Sequence, residues 1–399
     1  MGILSYTTPT NNQNVEPVQE IQTNKCYMSC IPKADRDIVG RIDMTAVQYN
    51  INHLKSLSKT NIIPVIKADA YGHGIIEMAR NLRLIGIEFL GVATLGEAIL
   101  LRNSGDTGRI IAWIYDIYGQ EMIDAINLDI DIAVIDETTL DYFIGLIPNG
   151  KRARITVFVD TGINRAGVRY ENSFDTCVKV ANTPKMEFVG LMSHLVESEV
   201  PNSATTNDQL QKFRDLRNRL QEVNIVPKMT HIANTAACIN YDVSDFTHCR
   251  PGSGIYGISD VDVFNPDFKL ALTVVSYIIQ IKTIKAGEGV GYNHLFIAPT
   301  DMKICILPIG YADIIPRSST SKLELWINGI KRKVLGRISM DQIVVEGNDI
   351  DKLNDDVIIF GNGYNCPQTI FDVALASSVK PIEILCHAGY RINRTYSWN

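Results

Sequence analysis

Lys67 ends an apolar run and is followed closely by Tyr71 and His73, in the stretch Val65 to Gly74 that reads VIKADAYGHG. A lysine amine at a strand end can condense with an aldehyde cofactor, and a desolvating pocket lowers its pKa enough for that chemistry. Taken alone, such a lysine is far more often an ordinary strand end leaning into solvent. Four more polar residues, Arg165, His194, Asn234 and Arg250, fall at or just after the ends of other β-rich runs. A set of solvated surface charges has no reason to sit at that one end.

The elements that must position them are β-rich runs alternating with amphipathic stretches. Asp43 can cap a helix whose Val47, Ile51, Leu54 and Leu57 share a face. Eight candidate strands follow: Ile62 to Ala68, Phe89 to Ala93, Arg109 to Tyr115, Ile130 to Ile135, Arg154 to Asp160, Glu187 to His194, Met229 to Asn234 and Thr247 to Arg250. Gly86 and Gly105 stand where helices end with a left-handed glycine. This alternation predicts an α/β fold, an N-terminal (β/α)8 TIM-type barrel whose strand ends converge on one mouth.

From about Leu270 the pattern changes. Leu270 to Ile284 is a long β-branched run, Asn328-Gly329 is a hairpin signal, and Val334 to Val345 and Asp356 to Phe360 stay strand-rich. A mostly β C-terminal domain is expected, with Val39 to Ile42 able to contribute a strand. The expected divisions are a flexible arm over 1–35, the barrel over 36–268 and the β domain over 269–399.

The formal charge of −6 and pI near 5.7 argue against nucleic acid or an anionic membrane as main partner and favour a small metabolite. No run of 18 apolar residues exists, so no spanning helix is expected. The eight cysteines are scattered, with only Cys26 and Cys30 close together. They read as reduced thiols of a cytoplasmic protein, and no metal site is expected. Gly252-x-Gly254-x-x-Gly257 fits a dinucleotide pattern, but no βαβ unit opens behind it.

Eight blocks occur in order: VIKADAYGHG, VDTGINRAGV from Val159, GLMSHL from Gly190, HIANTAA from His231, RPGSGIYG from Arg250, AGEGVGYNH from Ala286, LPIGYAD from Leu307 and GRISMDQ from Gly336. In these blocks the chain resembles the alanine racemases, several of them looking like the actinobacterial branch. The resemblance implies a cytoplasmic, pyridoxal 5′-phosphate (PLP)-dependent enzyme that interconverts L- and D-alanine and supplies D-alanine for bacterial peptidoglycan. It also implies an obligate homodimer with active sites shared between subunits.

A racemase needs two proton carriers on opposite faces of the substrate. By resemblance Lys67, which also carries the cofactor, serves the D-enantiomer, and Tyr292 from the partner subunit serves the L-enantiomer. A tyrosine is a poor base unless a cation lowers its pKa, and Arg165 matches the arginine beside this tyrosine and the substrate carboxylate. Arg250 is implied to face the pyridine nitrogen, so that the ring accepts less carbanion charge and side transamination is disfavoured. His194 would pack on the ring, with Asn234 also at the cofactor. Tyr71, Thr235 and the Gly252 and Ser253 amides would hold the phosphate. From the partner's β domain come Tyr311 at the entrance, Met340 near the substrate carboxylate and Asp341 supporting that loop.

Three positions depart from the family pattern. Phe158 stands where most members carry a carbamylated lysine that holds the arginine, Ile382 replaces a phosphate-binding tyrosine, and Gly291 replaces a small hydroxyl residue. Arg165 then needs another acceptor: Asn164, a different side chain at the mouth, water or an anion. Other functions stay open from the residues alone. They are a broader-specificity racemase, a PLP-barrel decarboxylase or aldolase in which Tyr292 has no role, and a non-catalytic PLP-binding protein that leaves the β domain unexplained.

Overall fold

The Asp43 side chain accepts hydrogen bonds from the backbone amides of Thr45 (2.9 Å) and Ala46 (3.1 Å), and the helix Met44–Ser58 starts there, as its sequence predicts. A computed structural model describes residues 38–259, 263–362 and 368–398; the expected arm and the Cys26 and Cys30 pair lie outside them. Val47, Ile51 and Leu54 are buried, but Leu57 is 41% exposed. At about 100° per residue the apolar stripe runs on to Ser58 and leaves Leu57 roughly 80° to one side.

The eight expected barrel strands all form. They are Asn61–Ile62, Phe89–Thr94, Arg109–Ile114, Asp131–Val134, Ala153–Asp160, Met186–Met192, Met229–His231 and His248–Cys249. Strands two to seven pair in parallel in sequence order. The ring is closed through the short first and last strands. Ile63 N bonds Cys249 O (2.8 Å), Ile66 N bonds Gly91 O (2.8 Å), and Arg250 N bonds Ala233 O (2.8 Å). Inward-facing Ile63, Phe89, Ile111, Ala133, Phe158, Val189, Met192 and Met229 fill the interior as one apolar cluster, so the barrel is a packed core with a single functional rim. Gly86 (φ 83°) and Gly105 (φ 93°) end their helices in the left-handed conformation.

Nine of the remaining strands form a second sheet, while Gly289–Val290 and Phe296–Ile297 pair separately and Val168–Arg169 pairs with the barrel strand Ala153–Asp160. In order across the second sheet lie Gln280–Ile284, Met302–Leu307, Ile343–Glu346, Ile330–Leu335, Glu324–Ile327, Asp356–Phe360, Leu272–Tyr277, Ile38–Asp43 and Ile392–Ser397. Asn328 (φ 52°) and Gly329 (φ 75°) make the predicted hairpin turn. The long run from Leu270 divides at Ile278 into two strands with different partners. Every pair is antiparallel except the edge, where Ile392–Ser397 runs parallel to Ile38–Asp43. The helices Ile370–Ser377 and Pro381–Cys386 precede that last strand.

Candidate active site

The first barrel strand does not extend to Ala68. The chain turns at Lys67, and Ala68, Asp69, Ala70 and Tyr71 adopt φ of 52°, 53°, 55° and 53°. Left-handed backbone costs an L-residue about 1–2 kcal/mol, so this turn exists because its surroundings impose it. Ala68 N donates to Glu97 Oε1 (2.6 Å), and Glu97 Oε2 also accepts from Ala93 N (2.9 Å) and Thr94 N (3.1 Å). Asp69 Oδ1 accepts from Ile75 N (2.8 Å) and starts the next helix. Gly72, at φ 78°, lies where a Cβ would meet Leu385 O at 2.0 Å. The turn places Lys67 and Tyr71 on the rim.

Lys67, Arg165, His194 and Arg250 are brought together there. Burial, and then the charges of Arg165 and Arg250, hold the Lys67 amine below the ordinary lysine value. Burial, followed by Arg250, Arg165 and Lys67, pushes the His194 imidazole down to about 3, so its ring is neutral at physiological pH. Arg250 is 6% exposed. Its Nη2 donates to Ser193 O (2.6 Å), and its Nη1 lies 2.6 Å from His231 O and 2.8 Å from His231 Nδ1. Burial lowers the guanidinium to about 10, and it stays protonated. A rim with this many cationic and neutral-base groups suits an anionic, planar ligand.

The residues fit PLP. Gly252 packs so closely under Tyr71 that a Cβ would come within 2.2 Å of the tyrosine oxygen, and a Cβ on Gly254 would come within 2.5 Å of Thr235 Cγ2. Thr235 Oγ1 accepts from Gly254 N (3.1 Å) and lies 3.4 Å from Ser253 Oγ. Hydroxyls and glycine backbone thus meet in one corner, a donor set suited to phosphate. Asn234 is at the same strand end, but its Oδ1 is taken up as the cap of the helix Thr235–Asn240, accepting from Ala237 N (3.0 Å) and Ser198 Oγ (2.8 Å).

The other candidates sit in the β domain. Tyr292 is 66%, Tyr311 40% and Met340 51% exposed. Tyr311 N bonds Ser339 O (3.1 Å) and Ala312 N bonds Met340 O (3.0 Å), which joins the two loops. Asp341 Oδ1 accepts from Arg391 Nη1 (2.7 Å), whose Nε donates to the buried Asp313 (2.8 Å). Among the described residues, no hydrogen bond, ion pair or ring contact joins this group to the barrel rim within one chain.

Phe158 is 3% exposed inside the barrel. Asn164 does not satisfy Arg165: no hydrogen bond joins the two, and the Asn164 amide nitrogen donates back to Gly162 O (3.4 Å). Among the described residues no side chain accepts from Arg165, which is exposed. Ile382 packs on the main core from the helix Pro381–Cys386. Two residues at the site escaped the sequence reading. His231 faces Arg250, and nothing in HIANTAA announces that role. Glu97 is legible in hindsight, since Thr94-x-x-Glu97 is a capping-box signature and the box forms.

The family described as alanine racemase, N-terminal domain, matches residues 42–260, and that described as alanine racemase, C-terminal domain, matches residues 271–396. An alanine racemase of Mycolicibacterium smegmatis is 33% identical over 385 residues, covering 94% of this chain and 98% of the relative. One from Mycobacterium tuberculosis is 33% identical over 365 residues, covering 89% and 94%. The crystal structure of the enzyme from Streptomyces lavendulae, a D-cycloserine producer, superposes with a TM-score of 0.85 at 30% identity, covering 92% of this chain and 98% of that one.

Proposed function

The chain belongs to the alanine racemase family, and from that premise we propose that it interconverts L- and D-alanine with PLP held at the barrel rim of a homodimer. It is a PLP-dependent isomerase that supplies D-alanine for bacterial peptidoglycan. The observation that carries the reading is the depressed Lys67 amine on a rim shared with Arg165, His194 and Arg250. PLP, when bound, supplies an electron sink that makes the substrate α-proton acidic.

Lys67 Nζ, its pKa lowered first by burial, would hold the cofactor and carries the proton on one face. Tyr292 Oη of the second subunit carries it on the other. Arg165 holds the substrate carboxylate and makes a nearby phenolate less costly. The Tyr71, Thr235 and Ser253 hydroxyls and the Gly252 backbone would hold the phosphate, the neutral His194 ring would lie against the cofactor ring, and Arg250 would supply a hydrogen-bond donor that keeps the pyridine nitrogen unprotonated. Asn234, by capping the helix that begins with Thr235, sets the cofactor corner. Tyr311, Met340 and Asp341 close the substrate side from the partner's β domain, which the exposure of Tyr292 and its neighbours supports. This work is placed in the cytoplasm, where peptidoglycan precursors are assembled; no helix among the described residues is long and apolar enough to cross a membrane.

Incubating the purified protein with L-alanine, with and without added PLP, and measuring D-alanine tests the proposal. Racemisation that rises with bound PLP is expected. Absence of D-alanine from protein carrying stoichiometric PLP overturns it.

A further inference from the structure

The turn that carries Lys67 is fixed at its near end by the barrel ladder and Glu97, and its far end meets the last strand of the chain. Arg394 Nε donates to Gly72 O (2.8 Å), Arg394 Nη2 lies 3.3 Å from Asp69 Oδ2, and Tyr396 Oη donates to His73 O (2.6 Å). Arg394 also donates to Ala388 O (3.1 Å), beyond the helix Pro381–Cys386. The two residues are two apart on one strand, so they share a face. Their strand pairs with Ile38–Asp43 in register, Arg394 opposite Gly40 and Tyr396 opposite Ile42.

Gly74 records the same contact from the other side. A Cβ there would stand 2.3 Å from Tyr396 Oη and 3.1 Å from Arg394 Cδ, and its φ is 87°. Within the turn, His73 Nδ1 lies 3.1 Å from Ala70 O and 3.0 Å from Tyr71 O, so the carbonyls that the strand grips belong to one hydrogen-bonded unit with Tyr71. Four successive left-handed L-residues relax when what surrounds them ceases to impose that conformation.

We infer that Arg394 and Tyr396 are positioning residues for Lys67: the C-terminal strand clamps the left-handed turn by its far end and sets where the amine and the Tyr71 hydroxyl stand. The inference rests on the reading of Lys67 as the cofactor lysine. The clamp itself is a property of the chain without cofactor, so it is measurable separately.

The test uses Tyr396→Phe, which removes one hydroxyl, and Arg394→Met, with Arg394→Lys retaining one donor. Hydrogen exchange of the apoprotein is followed at the amides of residues 68–75 and in the barrel strands. Exchange in the turn should accelerate about tenfold in the first two variants and less in the third, with the barrel strands unchanged. In the PLP-loaded proteins, borohydride fixation of PLP on Lys67 should slow and kcat should fall by about tenfold with KM for alanine within about twofold. Unchanged exchange in the turn, or acceleration spread evenly over both sheets, overturns the clamp. Wild-type protein that fails to racemise alanine while the variants loosen the turn alone sinks the proposed function and leaves the clamp standing.

Discussion

Arg250 leaves 6% of its surface in solvent and spends donors on Ser193 O and His231 O, whereas Tyr292 leaves 66% exposed and Tyr311 and Met340 leave 40% and 51%. The barrel rim is thus organised by one chain, through buried donors, a strained turn and glycines that admit close approach. The β-domain group is a set of side chains whose surroundings one chain does not supply. Preorganised groups cost no rearrangement when they act. Exposed aromatic and sulfur side chains are the kind that a protein interface buries. Residues of the first group should therefore fail in the subunit that carries them, and those of the second should fail in its partner.

The largest effect tests that division directly. Lys67→Ala and Tyr292→Phe should each lower racemisation by roughly 10³-fold or more, as loss of a proton carrier does. Subunit exchange between the two inactive proteins should restore activity, because a mixed dimer holds one site with both carriers intact. No recovery after exchange has been shown by mass spectrometry would break the comparison. Tyr292→Phe should also keep its PLP and lose solvent exchange of the α-proton from L-alanine in particular.

Glycines in the two regions give the next contrast. Gly252→Ala places a Cβ 2.2 Å from Tyr71 Oη and must displace the hydroxyl at the phosphate corner; PLP affinity should fall by about tenfold. Gly291 has no atom within 3.7 Å of a new Cβ, but its φ is 67°. Gly291→Ala should cost about 1–3 kcal/mol of stability through backbone strain with PLP affinity unchanged. Fluorescence titration with PLP and urea unfolding separate the two outcomes, and equal PLP affinities in both variants would erase the distinction.

Acid should act through the buried histidines behind the rim. Burial holds His73 at about 4 against an ordinary 6.5. Below pH 6.5 the unfolded chain takes up a proton that the folded chain refuses, so stability falls as pH falls through the window from 6.5 to about 4. His73 alone contributes a loss of about 1.5 kcal/mol between pH 6.5 and 5. The urea midpoint of the apoprotein should drop over that range, and His73→Gln should flatten the slope. A midpoint that does not move would show that His73 titrates normally.

The same contrast explains what could be read from the sequence. Barrel strands such as Phe89–Thr94 and Ala153–Asp160 were legible because each is an apolar run bounded by turn residues, and the Asn328-Gly329 hairpin because its turn needs positive φ. The Lys67 turn was not. Ala68, Asp69, Ala70 and Tyr71 carry no local preference for left-handed backbone, and VIKADA reads on as strand. What bends it is Glu97 and the far C-terminal strand, a tertiary cause without a local signature. Arg165 was assigned to the rim, yet Asn164, the nearest acceptor in sequence, turns its amide to Gly162 O instead.

The smallest expected effect on activity concerns Phe158. A carbamylated lysine at this position would bring an anion to Arg165 and make activity depend on bicarbonate. Here the side chain is 3% exposed among Ile63, Phe89, Ala133 and Met192, packed with Ile135 and Ala166. No charge belongs in that cluster, since an unpaired ion buried in apolar surroundings costs several kcal/mol. Arg165 itself is exposed, so solvent can satisfy its guanidinium and no buried acceptor is needed. Racemisation should therefore be unchanged between bicarbonate-depleted and bicarbonate-supplemented buffer at fixed chloride. Phe158→Lys should destabilise the fold by about 2–4 kcal/mol without gaining activity in bicarbonate, because the new side chain enters the barrel interior. A reversible bicarbonate requirement in the wild-type protein would mean that another lysine reaches Arg165. The rim would then be less completely built by one chain than its buried arginine implies.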